Sequence, residues 1–336
     1  MNAPIRLRSS RHGHSALDRL SVVVPVHNEL AVLPAFHARL QPVLDSLSLT
    51  AEVIYVDDGS RDGSAAALRR LRVGDPRVAV ITLSRNFGKE AALTAGLDHA
   101  SGDAVVVIDA DLQDPPELIA SMVQAWREGH DVVTMRRSTR AGESVLKRAS
   151  ASAFYRLLNR VSDVPIPLDT GDFRLLSRRA VKAVRQLPER NRYMKGLFAW
   201  IGFPQKELQY ARDARSAGRS QWPYSRLLGL ALDGITSFTW MPLRFATYVG
   251  LMTAAVALGY GVWIVGKTLM FGDPVAGYPS MMTVILFLGG AQLLAIGIQG
   301  EYLGRLFAES KRRPLYLVQS VQPARDRREI AEEELA

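Results

Sequence analysis

The segment Val105-Val106-Val107-Ile108-Asp109-Ala110-Asp111-Leu112-Gln113-Asp114 decides the fold, because an apolar β-branched run ends abruptly in acidic residues. Consecutive Val and Ile residues are typical of a strand that is buried on both faces of a parallel sheet. Since an unpartnered carboxylate is costly to bury, Asp109 and Asp111 are expected at the open end of that strand. Their carboxylates and the Gln113 amide are oxygen ligands suited to Mg²⁺ or Mn²⁺. A solvated turn with Asp114 as a helix N-cap is the alternative interpretation.

Strands alternate with helices through the first half of the chain. The pattern predicts strands at residues 20–26, 52–56, 78–83, 105–108 and 131–135, and helices at residues 29–48, 61–73, 88–100 and 117–128. Such alternation implies right-handed crossover connections and a mostly parallel sheet. The predicted fold class is therefore α/β.

Polar residues follow four of the predicted strands. They are His27, Asn28 and Glu29 after the first strand, Asp57 and Asp58 after the second, Arg85 and Asn86 after the third, and Asp109 and Asp111 after the fourth. In an open parallel sheet, ligands bind at the carboxyl ends of the strands. The chain lacks both G-x-G-x-x-G after the first strand and the P-loop pattern, so a metal-bound nucleotide diphosphate is the expected ligand. A helix first-turn acid at Glu29, and a turn and cap at Asp57 and Asp58, are the alternatives.

The composition limits the classes of function. The 336-residue chain has 42 Lys and Arg against 33 Asp and Glu, giving a net charge of +9 and a pI of about 9.9. This balance favours anionic partners such as phosphorylated substrates, nucleic acid or an anionic membrane surface. The absence of cysteine excludes disulfides, thiolate metal sites and a Cys nucleophile. Residues 1–19 are basic without an apolar core segment, which predicts a disordered arm and not a secretory signal.

A basic segment follows the predicted strands. Between residues 135 and 156 the basic residues are Arg136, Arg137, Arg140, Lys147, Arg148 and Arg156, opposed only by Glu143. A solvated helix face explains any one of them, but as a cluster they favour a second anion such as an acceptor phosphate. Asp172 and Arg174 share a strand face, where they either pair with each other or both face the site. Because the basic residues do not interleave with base-stacking aromatics, nucleic acid is not an expected partner.

The last third of the chain predicts a membrane hairpin. Transmembrane helices are expected at residues 245–266 and 280–304, since each contains about 20 uncharged, mostly apolar residues. A buried core helix is the alternative for each span. The flanking segments are basic, so residues 267–279 are expected outside the cell, with the α/β domain and both termini in the cytoplasm. Residues 223–244 predict juxtamembrane amphipathic helices, and residues 305–336 predict a cytoplasmic basic segment with a disordered tail.

Seven ordered stretches resemble glycosyltransferase family 2, specifically its membrane-anchored polyprenyl-phosphate glycosyltransferases (dolichol-phosphate mannose synthases and bactoprenol glucosyltransferases). They are VVVPVHNE (22–29), VDDGSRDGS (56–64), LSRNFGKEAALTAGLDHASGD (83–103), VIDADLQDPPE (107–117), DTGDFRLLSRRAV (169–181), YMKGLFAWIGF (193–203) and AGRSQWPY (217–224). The resemblance implies a GT-A nucleotide-diphospho-sugar transferase domain over residues 20–222. The two-span hairpin is most similar to the bactoprenol glucosyltransferase branch.

The resemblance also implies roles for individual residues. It places Pro25, Val26, Glu29 and Asp57 at the nucleotide base and ribose, Asp109, Ala110 and Asp111 at the diphosphate, Asp109, Asp111 and Gln113 on the metal, and Arg215 in a loop that closes on the donor. Asp172 corresponds to the active-site acid, and Arg136 to an arginine that binds the lipid phosphate or the diphosphate. Further acceptor-phosphate ligands are Arg174 and either Lys147 with Ala151 or Arg148 with Ser152. Asp172 and Asp111 are the residues expected to be essential for catalysis.

The implied activity is inverting transfer of a hexose to undecaprenyl phosphate at the cytoplasmic membrane face, for modification of a cell-envelope glycan. UDP-glucose is the donor that the resemblance favours, while galactose, mannose and amino sugars remain open. The resemblance implies a homotetramer, although the sequence itself leaves the oligomeric state open. A processive polysaccharide synthase is disfavoured because no Q-x-x-R-W occurs, and a non-catalytic scaffold or nucleotide-sugar sensor is disfavoured because Asp-x-Asp is present.

Overall fold

The computed structural model describes residues 18–137, 170–187, 189–190, 192, 194–210, 241–271 and 277–325. The described chain divides into two compact units. One is an α/β unit, formed by the described residues before residue 211 together with those after residue 313. The other is a helical unit that contains residues 241–313.

The α/β unit is a helix–sheet–helix sandwich. Its strands are β1 Arg19–Val26, β2 Thr50–Asp57, β3 Val78–Leu83, β4 Ala104–Val107, β5 Val132–Arg137, β6 Thr170–Ser177, β7 Gln205–Tyr210 and β8 Val318–Gln322. Its helices are α1 Leu33–Ser46, α2 Ser64–Gly74, α3 Lys89–His99, α4 Ile119–Arg127, α5 Arg178–Arg185 and α6 Met194–Trp200. Each predicted strand and helix of the first half is present, with bounds shifted by a few residues at most.

The strands form one mixed sheet in the order β7-β5-β6-β4-β1-β2-β3-β8. Strand β1 pairs in parallel with β2 and β4, β2 pairs in parallel with β3, and β5 pairs in parallel with β7. Strand β6 runs antiparallel between β4 and β5, and β8 runs antiparallel to β3. The α/β fold with a mostly parallel sheet is therefore confirmed.

The central strand β1 is covered on both faces, as its apolar sequence predicts. Leu20, Val22 and Val24 pack in one core with α1, α2 and α4, and none of the three is exposed. The next residue along, Val23, points to the other face, where Gly96 of α3 lies against it. Burial on both faces explains why β1 is apolar at successive positions and does not alternate.

Disorder was expected in the tail from about residue 321, and the structure contradicts this at the start of that tail, since residues 321–322 belong to a strand. Residues 318–322 form β8 on the edge of the sheet, where Leu317 accepts a hydrogen bond from the Ser84 backbone N–H at 2.9 Å. The Tyr316 hydroxyl also donates to Asp98 at 2.8 Å. Because β8 is an exposed edge strand, it carries no buried apolar face that its sequence would reveal. Residues 326–336 lie outside the described residues.

The helical unit consists of two long helices, α7 Met241–Phe271 and α8 Tyr278–Ser310. Among the described residues, one stretch, Leu243–Trp263 in α7, is long and apolar enough to cross a membrane, with a mean hydropathy of 1.5. Large apolar side chains are exposed on both helices, including Val262 at 75% and Leu293 at 72%. A continuous apolar surface of this kind needs a lipid or protein cover. The predicted bounds of the two spans stay predictions.

Replacement of Gly96 by alanine tests the close packing of α3 against the sheet. A Cβ at this position would overlap the side chain of Val23, so G96A is expected to lower stability by about 1–3 kcal/mol. Thermal unfolding of the purified protein measures the change. The matched control is G74A in the last turn of α2, where a Cβ meets nothing within 4 Å and stability should hold. Equal melting temperatures for G96A and the wild type would contradict the packing described here.

Candidate active site

The predicted polar residues converge at the carboxyl ends of the parallel strands, and this side of the sheet is called its carboxyl edge. Strands β1, β2 and β4 are parallel neighbours, so their carboxyl ends meet; Val26 lies beside Asp57 in the pairing of β1 and β2. Asp57 is almost fully buried, and its Oδ1 accepts a hydrogen bond from the Ser60 N–H at 3.0 Å. Pro25 lies near the carboxyl end of β1, Glu29 lies in the loop after β1, and Ala110 lies in the loop after β4. The positions that the resemblance implies for nucleotide binding therefore lie together at this end of the sheet.

Strand β6 runs antiparallel to β4 and brings Asp172 to the same side of the sheet. In the antiparallel ladder of β4 and β6, Val107 pairs with Arg174. Continuing this register by two residues along each strand sets Asp109 opposite Asp172. Asp172, which the resemblance implies as the active-site acid, and the Asp-x-Asp motif are thus brought together by a pairing that the strand pattern did not predict.

Lys89 bridges these two acids. Its Nζ lies 2.7 Å from Asp109 Oδ2 and 2.6 Å from Asp172 Oδ2. The ammonium therefore supplies positive charge between two carboxylates that would otherwise repel each other. Lys89 was not predicted as a site residue, although it stands in the quoted stretch LSRNFGKEAAL as the second residue of the helix predicted at residues 88–100.

The loop before Lys89 is fixed by Asp58. Its carboxylate accepts hydrogen bonds from the backbone N–H groups of Phe87 at 2.7 Å and Gly88 at 2.9 Å. Gly88 has φ of +96°, a conformation that favours glycine, and from it the chain enters α3. Asp58, which follows β2, therefore determines where the side chain of Lys89 begins.

Gly59 allows the ends of β2 and β3 to approach closely. It has φ of +66°, and a Cβ placed on it would lie 2.6 Å from the Arg85 carbonyl carbon and the Asn86 nitrogen. Neither the conformation nor the contact tolerates a larger residue. The predicted turn at Asp58-Gly59 is thus also a packing contact between the two strand-end loops.

A polar cluster at the ends of β1 and β3 flanks the site. His27 Nδ1 lies 2.8 Å from the Asp58 carbonyl oxygen, and because a carbonyl only accepts, this nitrogen carries the proton. His27 Nε2 is then an acceptor for the side-chain amide of Asn86 at 2.9 Å. Next to the ring, Asn28 adopts a left-handed conformation with φ of +56°. These bonds order the rim of the predicted base-binding region.

The charges at the site shift the pKa values of its members. Burial alone would raise the pKa of Asp172, but Lys89 and Lys195 outweigh it and hold that pKa well below its usual range. Burial raises the pKa of Asp109 against the opposing charge of Lys89. Burial would lower the pKa of Lys89, yet its two carboxylate partners raise it above the ordinary value. Asp172 and Lys89 are therefore both charged at neutral pH.

The Asp-x-Asp loop has a strained but well-supported backbone. Leu112 adopts φ of +61°, a left-handed conformation that costs a non-glycine residue about 1–2 kcal/mol. The turn is closed by the Gln113 N–H, which donates to Asp111 Oδ1 at 3.1 Å. Asp114 is buried and accepts a hydrogen bond from the Tyr210 hydroxyl, so it ties the loop to β7 and does not act as a free cap.

The donor set of this loop fits a divalent cation whose shell is completed by substrate. Within the described ranges, no group of three or more His, Cys, Asp or Glu side chains is placed to hold a metal ion. Asp109, Asp111 and Gln113 offer two carboxylates and an amide, which is less than a complete protein cage. Mg²⁺ is commonly bound by one or two carboxylates together with substrate phosphates. The residues present therefore suit a cation that arrives with a nucleotide diphosphate.

The predicted acceptor residues have different surroundings. Arg136 is 42% exposed and lies 3.3 Å from Glu207, leaving its guanidinium accessible. Arg174 is 3% exposed, donates to the Gly171 carbonyl at 2.8 Å and stacks on the Phe198 ring. This placement favours a positioning role for Arg174 over direct contact with a phosphate. Lys147, Arg148, Ala151, Ser152 and Arg215 lie outside the described residues.

Glu90 is a second residue that sequence analysis missed. It follows Lys89 in α3, and its carboxylate accepts a hydrogen bond from the Met194 backbone N–H. Burial, reinforced by the negative charge of Asp172 and opposed by Lys89 and Lys195, raises the pKa of Glu90 to about 7. No pattern in the sequence distinguishes Glu90, because an acid in the first turn of a helix is commonplace.

Comparison with known proteins agrees with this architecture. Residues 21–185 match the model of glycosyl transferase family 2, and residues 241–306 match the model described as the GtrB C-terminal hairpin. A bactoprenol glucosyl transferase of Shigella phage SfV is 46% identical over 302 residues, which cover 90% of this chain and 98% of that protein. An uncharacterized glycosyltransferase of Synechocystis is 48% identical over 299 residues, which cover 89% and 94%.

A prophage bactoprenol glucosyl transferase homolog of Escherichia coli K12 is 45% identical over 303 residues, covering 90% of this chain and 99% of that protein. Among solved structures, glucosyl-3-phosphoglycerate synthase of Mycobacterium tuberculosis is 24% identical with a TM-score of 0.48, covering 65% of this chain and 78% of that one. The α/β unit and its strand-end site define a nucleotide-sugar transferase domain. The chain belongs to glycosyltransferase family 2, and the resemblance to its polyprenyl-phosphate branch is confirmed.

Exchange of Glu90 for glutamine tests the electrostatics of the site through stability. A carboxyl whose pKa rises on folding contributes stability at low pH that is lost as the pH climbs through the folded-state value, here about 7. Between about pH 5 and pH 8, the melting temperature of the wild type should therefore fall by a few degrees relative to E90Q. Thermal unfolding at a series of pH values measures this difference. Melting curves that stay parallel across the range would contradict the burial of Glu90 beside Asp172.

Proposed function

We propose that the protein transfers glucose from UDP-glucose to undecaprenyl phosphate, with inversion at the sugar, at the cytoplasmic face of the membrane. The observation that carries this proposal is the joint presence of the strand-end acid site and the apolar helical hairpin in one chain. The relatives named bactoprenol glucosyl transferase, which align over nine-tenths of the chain, support glucose and the lipid carrier. The product would supply sugar for modification of a cell-envelope glycan.

The donor would bind at the carboxyl edge of the sheet. Pro25, Val26, Glu29 and Asp57 line the base and ribose end, and the Asp109-Ala110-Asp111 turn lies at the diphosphate. A divalent cation, Mg²⁺ or Mn²⁺, held by Asp109, Asp111 and Gln113 would neutralise the charge that develops on the leaving diphosphate. Arg215 is proposed to close over the donor.

The acceptor needs no general base. The second pKa of a phosphate monoester is near 6, so the lipid phosphate is largely dianionic at neutral pH and already nucleophilic. Its oxygen attacks the anomeric carbon as the bond from that carbon to the diphosphate oxygen breaks, and the electron pair leaves with the nucleoside diphosphate. The protein must instead hold two anions together, which we assign to Arg136 with Lys147 or Arg148.

Asp172 has an orienting role in this scheme. Lys89 and Lys195 keep its pKa low, so the carboxylate is ionised and poorly suited to donate a proton. Through Lys89 it is linked to Asp109, and through the register of β6 it faces the same edge of the sheet. Asp172 therefore fixes the charge pattern around the reacting centre.

The connectivity of the chain supports the membrane arrangement that we propose. The chain leaves the α/β unit before the hairpin and returns to it as β8 after the hairpin. A folded unit lies on one side of a membrane. If the hairpin spans the membrane, both of its chain ends therefore lie on the side that holds the α/β unit. The basic flanks favour the cytoplasmic side, which places the loop between α7 and α8 outside. Two spans, a cytoplasmic catalytic unit and a homotetrameric assembly are parts of the proposal.

Transfer can be measured with membranes that contain the protein, undecaprenyl phosphate and a panel of radiolabelled nucleotide sugars. Label should enter the lipid phase from UDP-glucose and be lost when EDTA is added. D111N should lower transfer by at least a hundredfold because a cation ligand is lost, whereas the matched surface variant D45N should behave as wild type. Full activity in D111N would refute the metal assignment, and label from no donor would refute the transferase proposal.

Because the chain has no cysteine, its topology can be read from single-cysteine variants. Gly277 precedes α8 at the predicted external loop, and Val73 is exposed on α2 of the α/β unit. A membrane-impermeant maleimide should label G277C in intact cells, and V73C only after the membrane is permeabilised. Labelling of both variants in intact cells would contradict the proposed orientation.

A further inference from the structure

Two carboxylate oxygens in the site are buried without a hydrogen-bond partner among the described residues, namely Glu90 Oε2 and Asp172 Oδ1. Buried polar atoms are nearly always satisfied, so a pair of unsatisfied acceptors in one site needs an explanation. The other oxygen of Asp172 is taken by Lys89, and the Glu90 carboxylate already receives the Met194 N–H. Each of the two remaining oxygens therefore lacks a hydrogen-bond donor among the described residues.

Both residues belong to the same small region. Glu90 follows Lys89 in the first turn of α3, and Lys89 is bonded to Asp172. The charge of Asp172 acts on Glu90, and Lys195 acts on both carboxyls. On its other side Lys89 is bonded to Asp109, at the proposed diphosphate position. The pair of oxygens thus lies next to the place where the diphosphate of the donor would end.

The chemistry of the pair restricts the ligand. Asp172 is ionised and only accepts hydrogen bonds, whereas Glu90, with its pKa raised to about 7, accepts or donates according to its proton. The negative charge of Asp172 repels a phosphate. A neutral group that carries several hydrogen-bond donors suits the two carboxyls, and a hexose with its hydroxyls is such a group. The part of a nucleotide sugar that follows the diphosphate is the hexose, so position and chemistry agree.

We propose that Glu90 Oε2 and Asp172 Oδ1 form the subsite that accepts hydroxyl groups of the transferred hexose, with Lys89 as the residue that positions them. This inference rests on the proposed transfer of a hexose and adds the residues that read it. Lys89 holds Asp172 so that one oxygen faces the sugar, and the backbone of Met194 does the same for Glu90. The identity of the sugar would then be decided by which hydroxyls meet these two oxygens.

The first test compares a donor with its nucleotide alone. Binding of UDP and of UDP-glucose to the purified full chain is measured by titration calorimetry for the wild type and E90Q. Because UDP lacks the hexose, E90Q should leave its affinity unchanged and should weaken UDP-glucose by up to about tenfold, the loss typical of one hydrogen bond. E128Q is the control, since Glu128 is paired with Lys206 at the surface.

The second test identifies the hydroxyl. UDP-glucose analogues that lack one hydroxyl at C2, C3, C4 or C6 are titrated against the wild type, E90Q and D172N. The analogue that lacks the hydroxyl read by Glu90 should bind the wild type about tenfold more weakly, and E90Q should weaken it no further. D172N should show the same pattern with a different hydroxyl.

The outcomes separate this inference from the proposed function. If the wild type labels undecaprenyl phosphate but E90Q and D172N bind UDP-glucose as tightly as the wild type does, the subsite is wrong and the transferase proposal stands. A variant that weakens UDP and UDP-glucose equally also contradicts the subsite, because the loss is then structural. If the wild type labels lipid from no donor, both proposals fall.

Discussion

The ion pairs of Lys89 with Asp109 and Asp172 are the interaction on which the site depends. They join residues from three separate elements: the start of α3, the loop after β4 and the start of β6. Without the ammonium, two carboxylates would face each other at a buried strand end, where their repulsion is poorly screened. The lysine therefore lets an acidic site exist before a cation and a donor arrive.

The geometry around Lys89 is held by the ends of parallel strands. Asp58 after β2 binds the loop before α3 through two backbone N–H groups, and Gly59 lets that loop approach. Asp114 ties the Asp-x-Asp loop to β7 through Tyr210. The polar residues at this edge therefore divide into those that build the edge and those that are left to meet a ligand. Asp58 and Asp114 build it, whereas Asp172 and Glu90 each keep one buried oxygen that has no hydrogen-bond partner within the described part of the chain.

The hairpin and the α/β unit are linked by the return of the chain. Strand β8 pairs with β3, and β3 leads directly into the loop that carries Asn86 and ends at Lys89, the first residue of α3. The chain segment that follows α8 is thus bonded to the strand that precedes the site. The α/β unit is therefore connected to the two-helix unit at two points of the sequence.

The sequence alone determined the alternation of strands and helices, the edge of the sheet where the site lies, the Asp-x-Asp loop and the family. These features are local, because consecutive apolar residues indicate a strand that is buried on both faces, and the polar residues directly after them mark its end. Only the tertiary structure decided the contacts between distant segments. Lys89 and Asp172 are 83 residues apart, and their pairing needs β6 to run antiparallel beside β4. Strand β8 was missed for the related reason that an exposed edge strand gains its stability from backbone pairing, which side-chain patterns do not record.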